Sequence, residues 1–133
     1  MTRTRILLAD DNGELLAELC RELENEFDIV GTVTNGQDAV ECVLRLHPDV
    51  VVLDISMPIL SGIQAALRIH ESHPRSNILF LTIHENEEYI EAALSAGASG
   101  YVTKRRIGSD LVCAIQEVSQ GHSFLSPSLR KSR

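Results

Sequence analysis

The chain has 133 residues, which suits one compact domain around a single hydrophobic core and leaves little room for a second. Hydrophobic residues make up 44%, too many for a disordered chain, and no apolar run approaches the ~20 positions needed to cross a bilayer. A formal charge of -7 disfavours nonspecific contact with nucleic acid or an anionic membrane surface, and because acids at Asp10 and Asp11 interrupt any signal-peptide pattern after Met1–Arg5, a cytosolic protein is the expectation.

Strand-like and helix-like patterns then alternate five times. A first strand is expected over 5–10, where Ile6-Leu7-Leu8-Ala9 runs into Asp10 and Asp11. A helix over 13–25 follows, with Leu15, Leu16, Leu19, Cys20 and Leu23 recurring at helical spacing. The second strand, 28–34, is partly polar and belongs at a sheet edge. The next helix, 36–46, buries Ala39, Val40, Val43 and Leu44, and His47-Pro48 stops it because proline restricts the residue before it.

The third strand, 50–54, is a β-branched run closed by Asp54, and it belongs at the centre of the sheet with both faces covered. A loop through Ser56, Met57 and Pro58 leads into a helix over 62–72, ended by His73-Pro74. The fourth strand, 77–83, carries Thr82, and a helix over 87–95 follows. The fifth strand, 100–103, contains Tyr101 and runs into Lys104. A last helix, 108–120, packs Leu111, Ala114, Ile115 and Val118, with Gly121 suited to its C′ position. Residues 123–133 contain Ser-Pro and three basic residues and read as a tail or the start of a linker, leaving a folded domain over 1–122.

This alternation predicts right-handed crossovers and a doubly wound α/β fold, a parallel sheet covered on both sides. All strands of such a sheet end on one edge, so Asp10, Asp11, Asp54, Thr82 and Lys104 share one crevice. Some of these residues have plain explanations when taken singly. Asp10-Asp11-Asn12 with Glu14 also suits a helix N-terminus, and threonine is common in strands. Lys104 is one of two lysines against ten arginines and sits at a strand end rather than on a solvated helix face. Converging carboxylates repel unless a cation compensates. With a hydroxyl and an amine alongside, the set points to a hard divalent metal and a phosphoryl group.

The three cysteines, Cys20, Cys42 and Cys113, form no CxxC pair and each is expected as a reduced thiol on the apolar side of a helix. The five histidines show no spacing suited to zinc; His70 and His73 lie three apart, but nothing nearby completes a ligand set.

Asp10-Asp11, Asp54 with Met57-Pro58-x-x-x-Gly62, Thr82, Tyr101 and Lys104 resemble the signature of response-regulator receiver domains, in order and spacing, over nearly the whole chain to about Leu125. Asp54-Ile-Ser-Met-Pro, Leu81-Thr-Ile-His-Glu-Asn-Glu-Glu-Tyr89 and Ala96-Gly-Ala-Ser-Gly-Tyr-Val-Thr-Lys104 are similar to the NarL/FixJ (LuxR-type) subfamily in particular. The resemblance implies a flavodoxin-like five-stranded sheet of order 2-1-3-4-5 with five helices. It implies that Asp54 accepts a phosphoryl group from a sensor histidine kinase, and that Asp10, Asp11, Asp54 and the backbone carbonyl of Ser56 hold Mg2+. It also implies that Lys104 and Thr82 contact the phosphoryl oxygens, and that Thr82 and Tyr101 act as the switch. Such domains catalyse only their own phosphorylation and dephosphorylation. Phosphorylation is then expected to drive homodimerisation and an output, with DNA reached only through a helix-turn-helix domain outside this chain. Three positions depart from the pattern or leave it open: Ile83 is bulky where a small residue is frequent, Ser56 and His84 sit where phosphate lifetime is tuned, and Arg105 replaces a frequent proline. Arg105-Arg106 reads as a solvated surface or a docking patch.

Other functions fit less well. A haloacid-dehalogenase-like phosphatase needs a second acid two residues after its nucleophile, but Asn12 follows Asp10 and Gly13 follows Asp11 at that distance. No glycine-rich phosphate cradle follows the first strand. A stand-alone signalling receiver without a DNA output remains the alternative.

Overall fold

Polar caps and prolines cut the chain where the sequence places them. In a computed structural model that describes residues 3–132, β1 spans Arg5–Ala9, α1 Gly13–Leu23, β2 Asp28–Val33, α2 Gly36–Leu46 and β3 Val50–Leu53. Then come α3 at Gly62–Ser72, β4 at Asn77–Thr82, α4 at Glu87–Ser95, β5 at Gly100–Thr103, a 3-10 turn at Lys104–Arg106, α5 at Ile107–Ser119 and β6 at Phe124–Leu125. Asn12 opens α1 by accepting from the amides of Glu14 and Leu15, and Asn35 opens α2 by accepting from Asp38. Ser61 and Gln64 close a reciprocal capping box on α3. His47, at φ 50, ends α2 in a left-handed turn ahead of Pro48, and Gly121, at φ 87, follows the α5 cap as expected.

The strands pair in parallel in the order β2-β1-β3-β4-β5-β6. This is the flavodoxin-like order with one strand more than the five expected. Side chains alternate across each strand, so the sheet feeds two cores. Leu7, Val51, Leu53, Phe80 and Tyr101 pack with α2, α3 and α4, while Ile6, Leu8, Val52, Leu81 and Val102 pack with α1 and α5. Each fully buried side chain of this size contributes roughly 1.5–3 kcal/mol of transfer free energy, so the layers hold by burial. All four residues of β3 are buried, and β2 lies at the edge, as its polarity required. Helix α4 buries only Ile90 and Ala93 and has no side-chain N-cap bond, which leaves it the least anchored of the five.

Three sequence expectations change. The stretch from Ser123, read as a tail, is packed down: β6 pairs with Gly100 and Tyr101 of β5, Ser126 is fully buried, and Leu129 joins the core. Leu44, expected inside, is 46% exposed at the margin of the α2 stripe. The cysteines are free, and Cys20 and Cys42 pack half-buried against the two cores, but Cys113 is exposed rather than on an apolar face.

Candidate functional site

The parallel register sets the site. Ala9 lies beside Leu53, and the amide of Asp54 donates to the carbonyl of Ala9 at 3.0 Å, so the next residues, Asp10 and Asp54, leave adjacent strand ends together. Asp10, Asp11 and Asp54 each bring a carboxylate oxygen within 4.8 Å of the others. Asp10 and Asp54 are buried, whereas Asp11 is exposed. Lys104 reaches in from the end of β5, and its Nζ lies 2.8 Å from Asp10 Oδ2 and 3.1 Å from Asp54 Oδ2. Burial alone would lower the lysine pKa, but the two carboxylates outweigh it and raise it above the ordinary value. The ammonium is therefore charged at neutral pH and offsets the acids.

Backbone amides orient the remaining carboxylate oxygens. Asp54 Oδ1 accepts from the amide of Ile55 at 2.7 Å, and Asp10 Oδ1 accepts from Asn12 at 2.9 Å. Beyond Asp54 the loop closes a tight γ-turn, in which the amide of Leu60 donates to the Pro58 carbonyl at 2.7 Å across Ile59 at φ 70. That is an uncommon conformation for a β-branched residue, and it holds Ile59 80% exposed beside the site.

Thr82 ends β4 fully buried, with its Oγ1 accepting from the amide of His84 at 3.3 Å. His84 ties several groups together. Its carbonyl accepts from the Tyr101 hydroxyl at 2.7 Å, its Nε2 lies 3.0 Å from Ser56 Oγ, and its ring stacks on Tyr89 of α4 with centroids 4.1 Å apart. Burial, helped by the Asp54 and Glu85 charges, pushes the Tyr101 hydroxyl far above the usual phenol range, so it stays a donor. Ile83, the bulky residue that follows Thr82, is 70% exposed.

The basic turn after β5 is partly solvated surface, and both of its arginines are paired with acids. Arg105 Nε and Nη2 hold Glu85 at 2.5 and 2.9 Å, and Arg106 pairs with the buried Asp110 at 3.2 Å. Three consecutive cations thus meet four acids on four different segments. Neither Glu85 nor Thr103, whose Oγ1 also donates to Glu85 at 2.7 Å, stood out in the sequence. Their pairing spans 18 to 20 residues, and only the position of Glu85, three after Thr82, hinted at it.

Comparison with known proteins agrees with this geometry. A family model for the response regulator receiver domain matches residues 6–116. The transcriptional regulatory protein DegU of Brevibacillus brevis is 34% identical over 128 residues, covering 94% of this chain and 54% of that protein. The oxygen regulatory protein NreC of Staphylococcus epidermidis is 34% identical over 131 residues, covering 96% of this chain and 60% of that protein. The crystal structure of a LuxR-family two-component response regulator from an Aurantimonas species superposes with a TM-score of 0.93 at 30% identity, over 98% of this chain and 94% of that one. The chain therefore spans a little over half the length of these two curated relatives.

Proposed function

The chain belongs to the response regulator receiver domain family, and from that premise we propose that it takes up a phosphoryl group on Asp54 from a partner's phosphohistidine. One observation carries the assignment of the site: the Lys104 ammonium lies between Asp10 and Asp54, at 2.8 and 3.1 Å, where a phosphoryl group on Asp54 would need a cation. In the transfer, the donor's N–P bond breaks and its imidazole leaves with the electron pair while an Asp54 oxygen forms the new P–O bond. Such a loose transition state asks the protein for positioning and charge, not for covalent chemistry.

Each neighbour has a role in that step. Lys104 exchanges its contact with Asp54 for the phosphoryl oxygens. Thr82, at the adjacent strand end, donates its hydroxyl to the same group. Asp10, Asp11 and Asp54 are hard oxygen donors close enough together to hold one Mg2+, with the Ser56 carbonyl as a further ligand by resemblance to the family, and the ion when bound would neutralise the phosphoryl charge. Asp11, the exposed member, and Asp10, which also pairs with Lys104, would both help to hold the ion.

The switch follows from the same contacts. Tyr101 is already inside, with its hydroxyl on the His84 carbonyl, so movement of Thr82 draws on a loop that joins Ser56, Tyr101 and Tyr89. The surface of α4, β5 and α5 shifts, which biases self-association and output. The output is transcriptional control through a DNA-binding domain outside this chain, as the regulators it resembles suggest.

Acetyl phosphate tests this reading. With Mg2+ the protein should gain one phosphoryl group that alkaline hydroxylamine removes, and without Mg2+ the gain should largely vanish. An Asp54→Asn protein labelled at the original rate would sink it.

A further inference from the structure

The four-residue connection between Thr82 and α4 is pinned from the β5 side by more than Tyr101. Glu85, in its third position, receives three hydrogen bonds: Thr103 Oγ1 at 2.7 Å, Arg105 Nε at 2.5 Å and Arg105 Nη2 at 2.9 Å. Thr103 is 1% exposed, so this end of the clamp is built into the sheet. Thr103 and Arg105 also flank Lys104, the residue that spans Asp10 and Asp54. The strand end that delivers the ammonium therefore also anchors the segment that carries the hydroxyl. The Arg105 hydrogen bonds, then that of Thr103, hold the Glu85 carboxyl below its usual range, so the clamp stays charged at neutral pH.

We propose that Glu85, clamped by Thr103 and Arg105, is a positioning residue that holds Thr82 in place to meet the incoming phosphoryl group. The proposal rests on the phosphoacceptor assignment and deepens it. Glu85 touches no reacting atom; it acts through the Thr82–Asn86 backbone, where the His84 amide already bonds Thr82 Oγ1. Arg105 is 60% exposed along its side chain and Glu85 31%, so the pair adds little to stability. Its contribution is expected in the rate instead, because small displacements of a positioning group are costly in a transfer that depends on alignment.

A double-mutant cycle tests this, with acetyl phosphate and Mg2+ as the probe. In the step measured, the acyl–phosphate O–P bond breaks, acetate departs with the electron pair, and Asp54 gains the P–O bond. Arg105→Ala and Glu85→Gln should each slow labelling about three- to fivefold. Melting temperature and Mg2+ affinity should stay close to those of the original protein, and Arg105→Lys should recover part of the rate. In a Thr82→Ala background the same changes should have almost no further effect, because the clamp acts through that hydroxyl. Thr103→Val, close to isosteric, gives a second route if either charge variant folds poorly. Unchanged labelling in all three variants, or equal slowing with and without Thr82, would overturn the proposal while the phosphoacceptor assignment stands. An original protein that takes up no phosphoryl group would overturn the assignment and the proposal together.

Discussion

Gly62 lies against the backbone of Asp54 so closely that a methyl group at Gly62 would sit 1.9 Å from the Asp54 carbonyl oxygen. The amide of Gly62 also donates to the Ile55 carbonyl at 2.8 Å, so the start of α3 is seated on the Asp54–Ile55 backbone. Gly62→Ala must therefore displace backbone rather than a flexible side chain. It should cost about 1–3 kcal/mol in urea unfolding and slow labelling of Asp54, although the residue is no part of the chemistry. Unfolding midpoints and labelling rates equal to the original would contradict this contact.

Ile59 gives a prediction of opposite sign. It holds φ 70 while 80% exposed, so it combines backbone strain with almost no burial. Asn tolerates that conformation better, and Ile59→Asn should stabilise the domain by about 0.5–1 kcal/mol in denaturant titrations. A loss of stability would mean that the isoleucine side chain makes contacts worth more than the strain.

Lys104→Met would leave Asp10 and Asp54, 3% and 5% exposed, facing each other without their cation. Breaking such a pair from one side should cost about 2–4 kcal/mol at pH 7. Adding Asp54→Asn should recover part of the loss by removing one of the repelling charges. Equilibrium unfolding of the single and double variants measures both effects, and a double variant no more stable than the single would contradict the charge argument.

Stability at low pH should follow Asp110. Its burial opposes ionisation, but hydrogen bonds from Arg106, Ser126 and Ser109 outweigh this and lower its pKa below the ordinary 3.8. The unfolded chain therefore takes up the proton first. The stabilisation is complete above about pH 4 and is lost as pH falls through the depressed folded value. Urea midpoints taken stepwise downward from pH 6 should fall more steeply for the original protein than for Asp110→Asn below about pH 4. Parallel curves would show that Asp110 is not the group responsible.

Much of this was readable from local pattern. Apolar runs ending in Asp10, Asp54, Thr82 and Lys104 marked both the strands and the edge where they end, because a parallel sheet leaves no other place for those side chains. The contacts that depend on distant partners were not readable. Phe124–Leu125 is too short to show periodicity, and Ser126 is buried because Asp110, 16 residues earlier, accepts its hydroxyl. Leu44 follows Val40 at helical spacing but lies just outside the stripe that faces the sheet, and the sequence carries no sign of that margin. Arg105 and Glu85 are each ordinary surface residues in sequence, and only the fold brings them together.

The phosphoacceptor itself is tested most directly by trapping. After exposure to acetyl phosphate and Mg2+, borohydride reduces an aspartyl phosphate to homoserine, which peptide mass spectrometry locates by position. Homoserine at position 54, and at no other, is the expected result. Modification at Asp10 or Asp11, or none at all in a folded and magnesium-loaded protein, would contradict the account.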